Sequence, residues 1–355
     1  MRVREAPSPM SGTTFEVFFK KATGKMPYAY QTSLAEGPVE SRLINVPTGC
    51  GKTAAAILAW LWQRTKYPER TPRRLVYCLP MRTLVEQTRD CALDWLNALG
   101  LLAGDVERLP AENGQRGRIV ADSYRWRAAS DGKVGVHVLM GGEEAEDWDV
   151  HPEAPAILIG TQDMLLSRAL NRGYGMSRYR WPMHFGLLNN DCLWVMDETQ
   201  LMGAGLSTAC QLEAFRASDH PRGFASFGVA GSVAWYMSAT TAPELLKTRD
   251  WRDVKRPDDF EFGLSAEEKN ARAGPIHQRR RAAKVLQFKP EWSLGETAPS
   301  GEIVSSILAK HEDMIAKLAG DTELPARTLI ICNTVELTTG LSGPSSAMSS
   351  TRCPD

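Results

Sequence analysis

Two short stretches carry residue types that act together on a nucleotide. The first, Val46-Pro-Thr-Gly-Cys-Gly-Lys-Thr53, is a glycine-bearing loop that ends in Lys-Thr. Gly49 and Gly51 let backbone N–H groups curl around an anionic phosphate with no Cβ in the way. Thr48 and Cys50 complete the curl, Cys50 being there for its small size. Lys52 reaches β- and γ-phosphates, and the Thr53 hydroxyl ligates magnesium. The second stretch, Leu193-Trp-Val-Met-Asp-Glu198, ends an apolar run in two carboxylates. Asp197 is expected to hold the same magnesium, and Glu198 to orient or deprotonate the attacking water. The chemistry is hydrolysis of Mg-ATP.

The flanks supply the elements that must position these groups. Residues 41–46 read as a strand, and 53–62, rich in strong helix formers, as a helix. Strand, glycine loop and helix is the context that makes a phosphate loop rather than a bare turn. Val46 stands where the strict Walker A pattern has glycine, a departure of one residue.

Apolar runs recur at 43–46, 75–79, 134–140, 156–159, 192–196 and 233–237, with a helical pattern at 83–99. Strands alternating with helices imply a parallel sheet covered on both faces. The expected order is an N-terminal extension at 1–14 and an α/β ATP-binding domain at 15–242. A charged connector at 243–283 leads to a partial second α/β domain at 284–336, with a helix at 303–318 and a strand at 328–333. A Ser/Thr-rich tail at 337–355 is too poor in apolar residues to fold.

The chain has 355 residues, 43% of them hydrophobic, and equal numbers (42 each) of basic and acidic residues. Bulk charge therefore announces no nucleic-acid partner, so any basic surface must be local. Seven cysteines without metal-ligand spacing read as reduced thiols in the cytoplasm. No run is long and apolar enough to span a bilayer.

The other short motifs all fall at strand ends, where parallel α/β sheets bind their ligands. Pro80, Arg82, Thr83 and Gln87 occupy a loop and helix start suited to a nucleic-acid phosphate. Gly160, Thr161, Gln162 and Asp163 form a similar loop, with Thr161 placed as a helix N-cap. Ser238 and Thr240 end a late strand with two hydroxyls, and Gln31 lies upstream of the phosphate loop, where its amide would read the adenine edge. Taken singly each is an ordinary turn or cap; their order is the signal.

With these motifs in place the chain resembles the superfamily 2 DExD/H-box helicases, from about residue 15 to 336. Within them it is similar to the helicase–nuclease of type I CRISPR interference. The softer cues for that branch are Pro27-Tyr-Ala-Tyr-Gln31, Gly160-Thr-Gln-Asp-Met-Leu165 and the long stretch 168–191. The resemblance implies a RecA-like P-loop fold for 15–242 and an incomplete second RecA-like domain at 284–336, ATP and magnesium as cofactors, single-stranded DNA as track, a Cascade-type surveillance complex as partner, and no membrane. It assigns Ser238 and Thr240 to coupling, and the loops at 80–83 and 160–163 to one strand's phosphates.

The chain also departs from that family. Gln200 stands where the family often has a histidine, so that position hydrogen-bonds but does not titrate. There is no arginine-rich last motif and no His-Asp pair, so metal-nuclease chemistry is absent from this chain. His137, His151, His184, His220, His277 and His311 read as structural or surface residues. The expectation is an intact first motor domain and a truncated second that binds ATP weakly and unwinds nothing alone. Two alternatives stay open: an inactive nucleotide-binding remnant, and another superfamily 2 translocase such as a restriction-system motor.

Overall fold

The computed structural model describes residues 12–110, 117–127, 132–141, 148–217, 231–240, 243–252, 260–272, 274, 276–278 and 309. Residues Met1–Arg281 gather into one unit, and of the second, Ala282–Asp355, only residue 309 is described. Apart from residue 309, the expected partial second domain and the tail lie outside the described residues, as do His220 and His311.

The chain opens with α1 (Phe15–Thr23) and α2 (Ala29–Glu36), then β1 (Arg42–Asn45), α3 (Lys52–Lys66), β2 (Arg74–Leu79) and α4 (Arg82–Leu99). A hairpin of β3 (Gly104–Arg108) and β4 (Ile119–Trp126) follows, then β5 (Gly135–Leu139), β6 (Ala156–Thr161), α5 (Gln162–Ala169) and α6 (Trp181–Asn189). The last elements are β7 (Cys192–Met196), α7 (Ala204–Arg216), β8 (Ser232–Ser238), β9 (Glu261–Gly263) and α8 (Ala266–Asn270). Seven strands form one sheet in the order β5-β6-β2-β7-β8-β1-β9, every pairing parallel. This is an α/β domain with a parallel sheet covered on both faces, as the apolar runs predict, with the ends of the six expected strands within two residues of expectation.

Alternation along each strand divides the core in two. Ile44, Leu75, Tyr77, Leu79, Leu193, Val195, Trp235 and Met237 face the layer of α1–α4. Leu43, Val76, Cys78, Trp194, Met196 and Tyr236 face the layer of α5–α7. With both faces covered, the strands have no polar side to show, which explains their nearly unbroken apolar sequence. Helix α3 is buried from Ala55 to Trp62 and so is apolar on every side. Trp60 inside it satisfies its indole N–H on the Pro72 carbonyl at 2.8 Å. No helix among the described residues is long and apolar enough to cross a membrane.

The sheet reaches into the stretch expected as a solvated connector. Leu43 N–H donates to the Phe260 carbonyl at 2.7 Å, and β9 pairs in parallel with β1. Phe260 and Leu264 are buried on either side of it. A three-residue strand is too short to show its pattern among the charges that flank it. The β3–β4 hairpin is half-exposed and polar, and gave no apolar run to read.

The long stretch before β7 is tied down by polar groups. Arg74, at the start of β2, donates to the carbonyls of Leu187, Pro152 and Asn190 at 3.1, 2.9 and 3.0 Å. Asp149 accepts from Arg180 Nε at 3.0 Å and meets His184 Nε2 at 2.7 Å. Burial pushes His184 below its ordinary value despite that carboxylate. Burial pushes Asp149 up, but hydrogen bonds from Arg180 and His184 outweigh it, leaving it below the usual carboxylate range. The unfolded chain therefore takes up protons before the folded one on acidification. Stability should fall as the pH drops below about 6.5, and again below about 4. His184→Gln is expected to flatten the first fall, read as urea midpoints between about pH 7.5 and 5.

Candidate functional site

The phosphate loop leaves β1 at its carboxyl end and enters α3. Its Gly49 and Gly51 hold φ of 79° and 71°, the left-handed region that glycine takes without strain. At Gly51 a Cβ would also stand 2.9 Å from Gln31 Nε2. The loop is braced from beneath. Tyr30 donates to the Cys50 carbonyl at 2.6 Å, and Gln31 Nε2 to the Gly51 carbonyl at 2.9 Å. Gln31 Oε1 accepts from Tyr28 N–H at 2.8 Å, capping α2. With 1% of its surface exposed, Gln31 is a strut of the loop here, not an open reader of a base. Cys50 packs its thiol into the core, so the loop sees only its backbone. Thr48, Gly49 and Gly51 stay exposed.

Lys52 is 7% exposed. Its ammonium donates to the Val46 carbonyl at 3.0 Å, while Val46 N–H donates to the Ser238 carbonyl at 3.1 Å. One peptide unit thus ties the lysine to the end of β8. An ammonium has three donors, and this is its one hydrogen bond in the described structure. The first turn of α3 has no side-chain cap, its N-cap being Gly51. A buried cation at an uncapped helix start has the charge to suit an anion.

Asp197, 6% exposed, follows β7. Its Oδ2 accepts from Tyr77 Oη at 2.7 Å and its Oδ1 from Glu198 N–H at 2.8 Å. Burial lifts its carboxyl above the usual range, against those hydrogen bonds and the Lys52 charge. Thr53 follows Lys52 in the first turn of α3. Its hydroxyl and the Asp197 carboxylate are hard oxygen donors, the chemistry that magnesium takes.

Glu198 sits at φ 51°, ψ 47°, which swings its side chain off the line of β7. Gln200 Nε2 donates to Glu198 Oε2. Its Oε1 accepts from Ser238 Oγ at 2.7 Å, and Ser238 Oγ accepts from Thr240 N–H at 3.0 Å. The candidate base and the candidate coupling residues are therefore one chain of hydrogen bonds, with Gln200 at its centre.

The two loops expected to meet nucleic acid leave adjacent strands, since Leu79 of β2 pairs with Thr161 of β6. Arg82, Thr83 and Gln87 are exposed on the first turns of α4, with Pro80 half-buried before them. Thr161 is the N-cap of α5, and its hydroxyl makes no cap hydrogen bond. Its neighbours differ. Gly160 is buried, with the Leu139 carbonyl 2.5 Å from where a Cβ would be. Gln162 turns its Oε1 inward beside Gly205 of α7. Asp163, exposed in the first turn of α5, complements the helix dipole and would repel a phosphate. Sequence reading missed Tyr77 and Tyr30. The signal was there: a tyrosine in a buried apolar run needs a partner for its hydroxyl.

Residues 29–116 match the family model described as DEAD/DEAH box helicase. No curated protein matches the chain. Among solved structures, the chain is similar to the Hef helicase domain of Pyrococcus furiosus: 16% identity, covering 89% of this chain and 51% of that one, TM-score 0.40. It is similar to the DUF1998 helicase MrfA bound to DNA: 17% identity, 70% of this chain and 28% of that one, TM-score 0.43. It is also similar to the yeast DEAD-box splicing factor Prp28: 16% identity, 61% and 42%, TM-score 0.37. The chain thus spans between 28% and 51% of the length of these three structures.

Gln200→Ala cuts Glu198 from Ser238. It is expected to lower ATP turnover about tenfold while leaving nucleotide affinity within about twofold. Steady-state kinetics beside a fluorescent-nucleotide titration check both halves.

Proposed function

We propose that this chain is the ATP-hydrolysing motor domain of a nucleic-acid helicase or translocase. The observation that carries the reading is the buried Lys52 ammonium, held at an uncapped helix start within reach of Asp197's charge. The match of residues 29–116 to the DEAD/DEAH box helicase model supports it. Lys52 would trade the Val46 carbonyl for phosphate oxygens. Backbone amides of Thr48, Gly49, Cys50 and Gly51 would wrap the phosphates. Thr53 and Asp197 would hold magnesium, which when bound neutralises charge on the phosphates. Glu198, oriented by Gln200, would position water, and Ser238 with Thr240 would pass the change on to domain movement. Pro80, Arg82, Thr83, Gln87 and Thr161 would grip one strand's phosphates in a sequence-independent, salt-sensitive way.

The finer reading is a DNA motor of type I CRISPR defence that works in the cytoplasm with a Cascade-type complex. It rests on the segments at 27–31, 160–165 and 168–191. Single-stranded DNA is then the track, and RNA of the same sequence should stimulate less.

The test is ATP hydrolysis by the purified chain, with and without single-stranded DNA, beside Lys52→Ala. Turnover raised by DNA and reduced at least about 10²-fold in the variant is expected. Nucleotide binding that ignores Lys52 would contradict the reading.

A further inference from the structure

Tyr77 lies in the middle of β2, between the buried apolar side chains of Leu75, Val76, Cys78 and Leu79. Its ring is fully buried against the α1–α4 layer. Packing alone would be served by phenylalanine. The hydroxyl instead reaches across to the end of the neighbouring strand β7 and donates to Asp197 Oδ2 at 2.7 Å. Burial holds the phenol protonated, well above its ordinary value. A protonated phenol donates one hydrogen bond, and here Asp197, one of the two groups proposed for the metal, takes it.

The strand that carries Tyr77 also matters. Three residues further on, β2 ends in the loop at 80–83, whose Arg82 and Thr83 are exposed at the start of α4. Cys78, next to Tyr77, accepts from Asp197 N–H at 3.1 Å. Asp197 is therefore held by β2 at both its amide and its carboxylate.

We propose that Tyr77 is a positioning residue that fixes the Asp197 carboxylate where it would hold magnesium, from the same strand that carries the exposed loop at 80–83. This rests on the ATP-site reading above. Its consequence is specific. The hydroxyl serves the metal-dependent part of nucleotide binding, whereas Lys52 and the loop amides serve the part that needs no metal.

The experiment uses the full chain and Tyr77→Phe. Binding of a fluorescent ATP analogue is titrated with magnesium, and separately measured in excess EDTA. The expected result is an apparent magnesium requirement about tenfold higher in the variant, the scale of one lost hydrogen bond to a charged group. Binding in EDTA should stay unchanged, and saturating magnesium should restore affinity. That rescue separates a positioning defect from a damaged fold, which added magnesium does not repair. An unchanged magnesium requirement would overturn the role of Tyr77, as would a loss that EDTA and saturating magnesium leave equally deep. The underlying site is checked in parallel. If the parent chain binds the analogue and Lys52→Ala does not, a negative result for Tyr77→Phe falls on this proposal alone. If the parent chain binds no nucleotide at all, both readings fall.

Discussion

The ammonium of Lys52 is a cation that the fold has taken almost wholly out of water. Such a group costs several kcal/mol to desolvate unless partners compensate it. Here one carbonyl, that of Val46, accepts from it at 3.0 Å. Everything around that contact has to be rigid for it to persist. The left-handed glycines shape the loop, Gln31 and Tyr30 brace it from below, and the Val46 amide is anchored on β8. Asp197 adds an opposing charge from β7. A loop built this way is pre-organised for an anion, because the donors are already placed and little reorganisation is left to do.

The two-faced sheet explains why the chemistry sits where it does. Side chains within the strands alternate between two apolar layers, so polar groups find room only where strands end. Strand order then sorts the ends. β7, β8 and β1 are consecutive neighbours and carry Asp197, Ser238 and the phosphate loop. β2 and β6 are the next pair outward and carry the loops with Arg82, Thr83 and Thr161. β7 and β2 touch at the border between the two groups. Nucleotide and nucleic acid would thus occupy adjoining parts of one sheet edge. A shift of a few tenths of an ångström at the border is felt on both sides, since close-packed interiors transmit strain.

Much of this was legible in the sequence, and for a physical reason. Buried parallel strands must be apolar, so 192–196 was read with its observed bounds, and the phosphate loop announced itself through glycines only such a turn requires. What could not be read depends on contacts between residues far apart in the chain. Tyr77 and Asp197 are 120 residues apart, and Arg74 pins carbonyls up to 116 residues away. Gln31 was noticed, but nothing local to it says that its amide would turn under the loop to Gly51. The nucleic-acid residues were judged by type. Gly160, Gln162 and Asp163 are taken up by packing and by the helix dipole, and only the fold could show that. β9 hid among charges because three residues hold too little pattern.

The proposed motor requires Lys52 to leave the Val46 carbonyl for phosphate oxygens when nucleotide binds. A crystal structure of the chain with magnesium and ADP–beryllium fluoride is the sharpest check. The expected result is Lys52 Nζ moved from the Val46 carbonyl to the phosphate analogue, with Thr53 and Asp197 around the metal and Glu198 facing the position of attack. Nucleotide bound elsewhere, or bound at the loop with Lys52 still on Val46, would contradict the account.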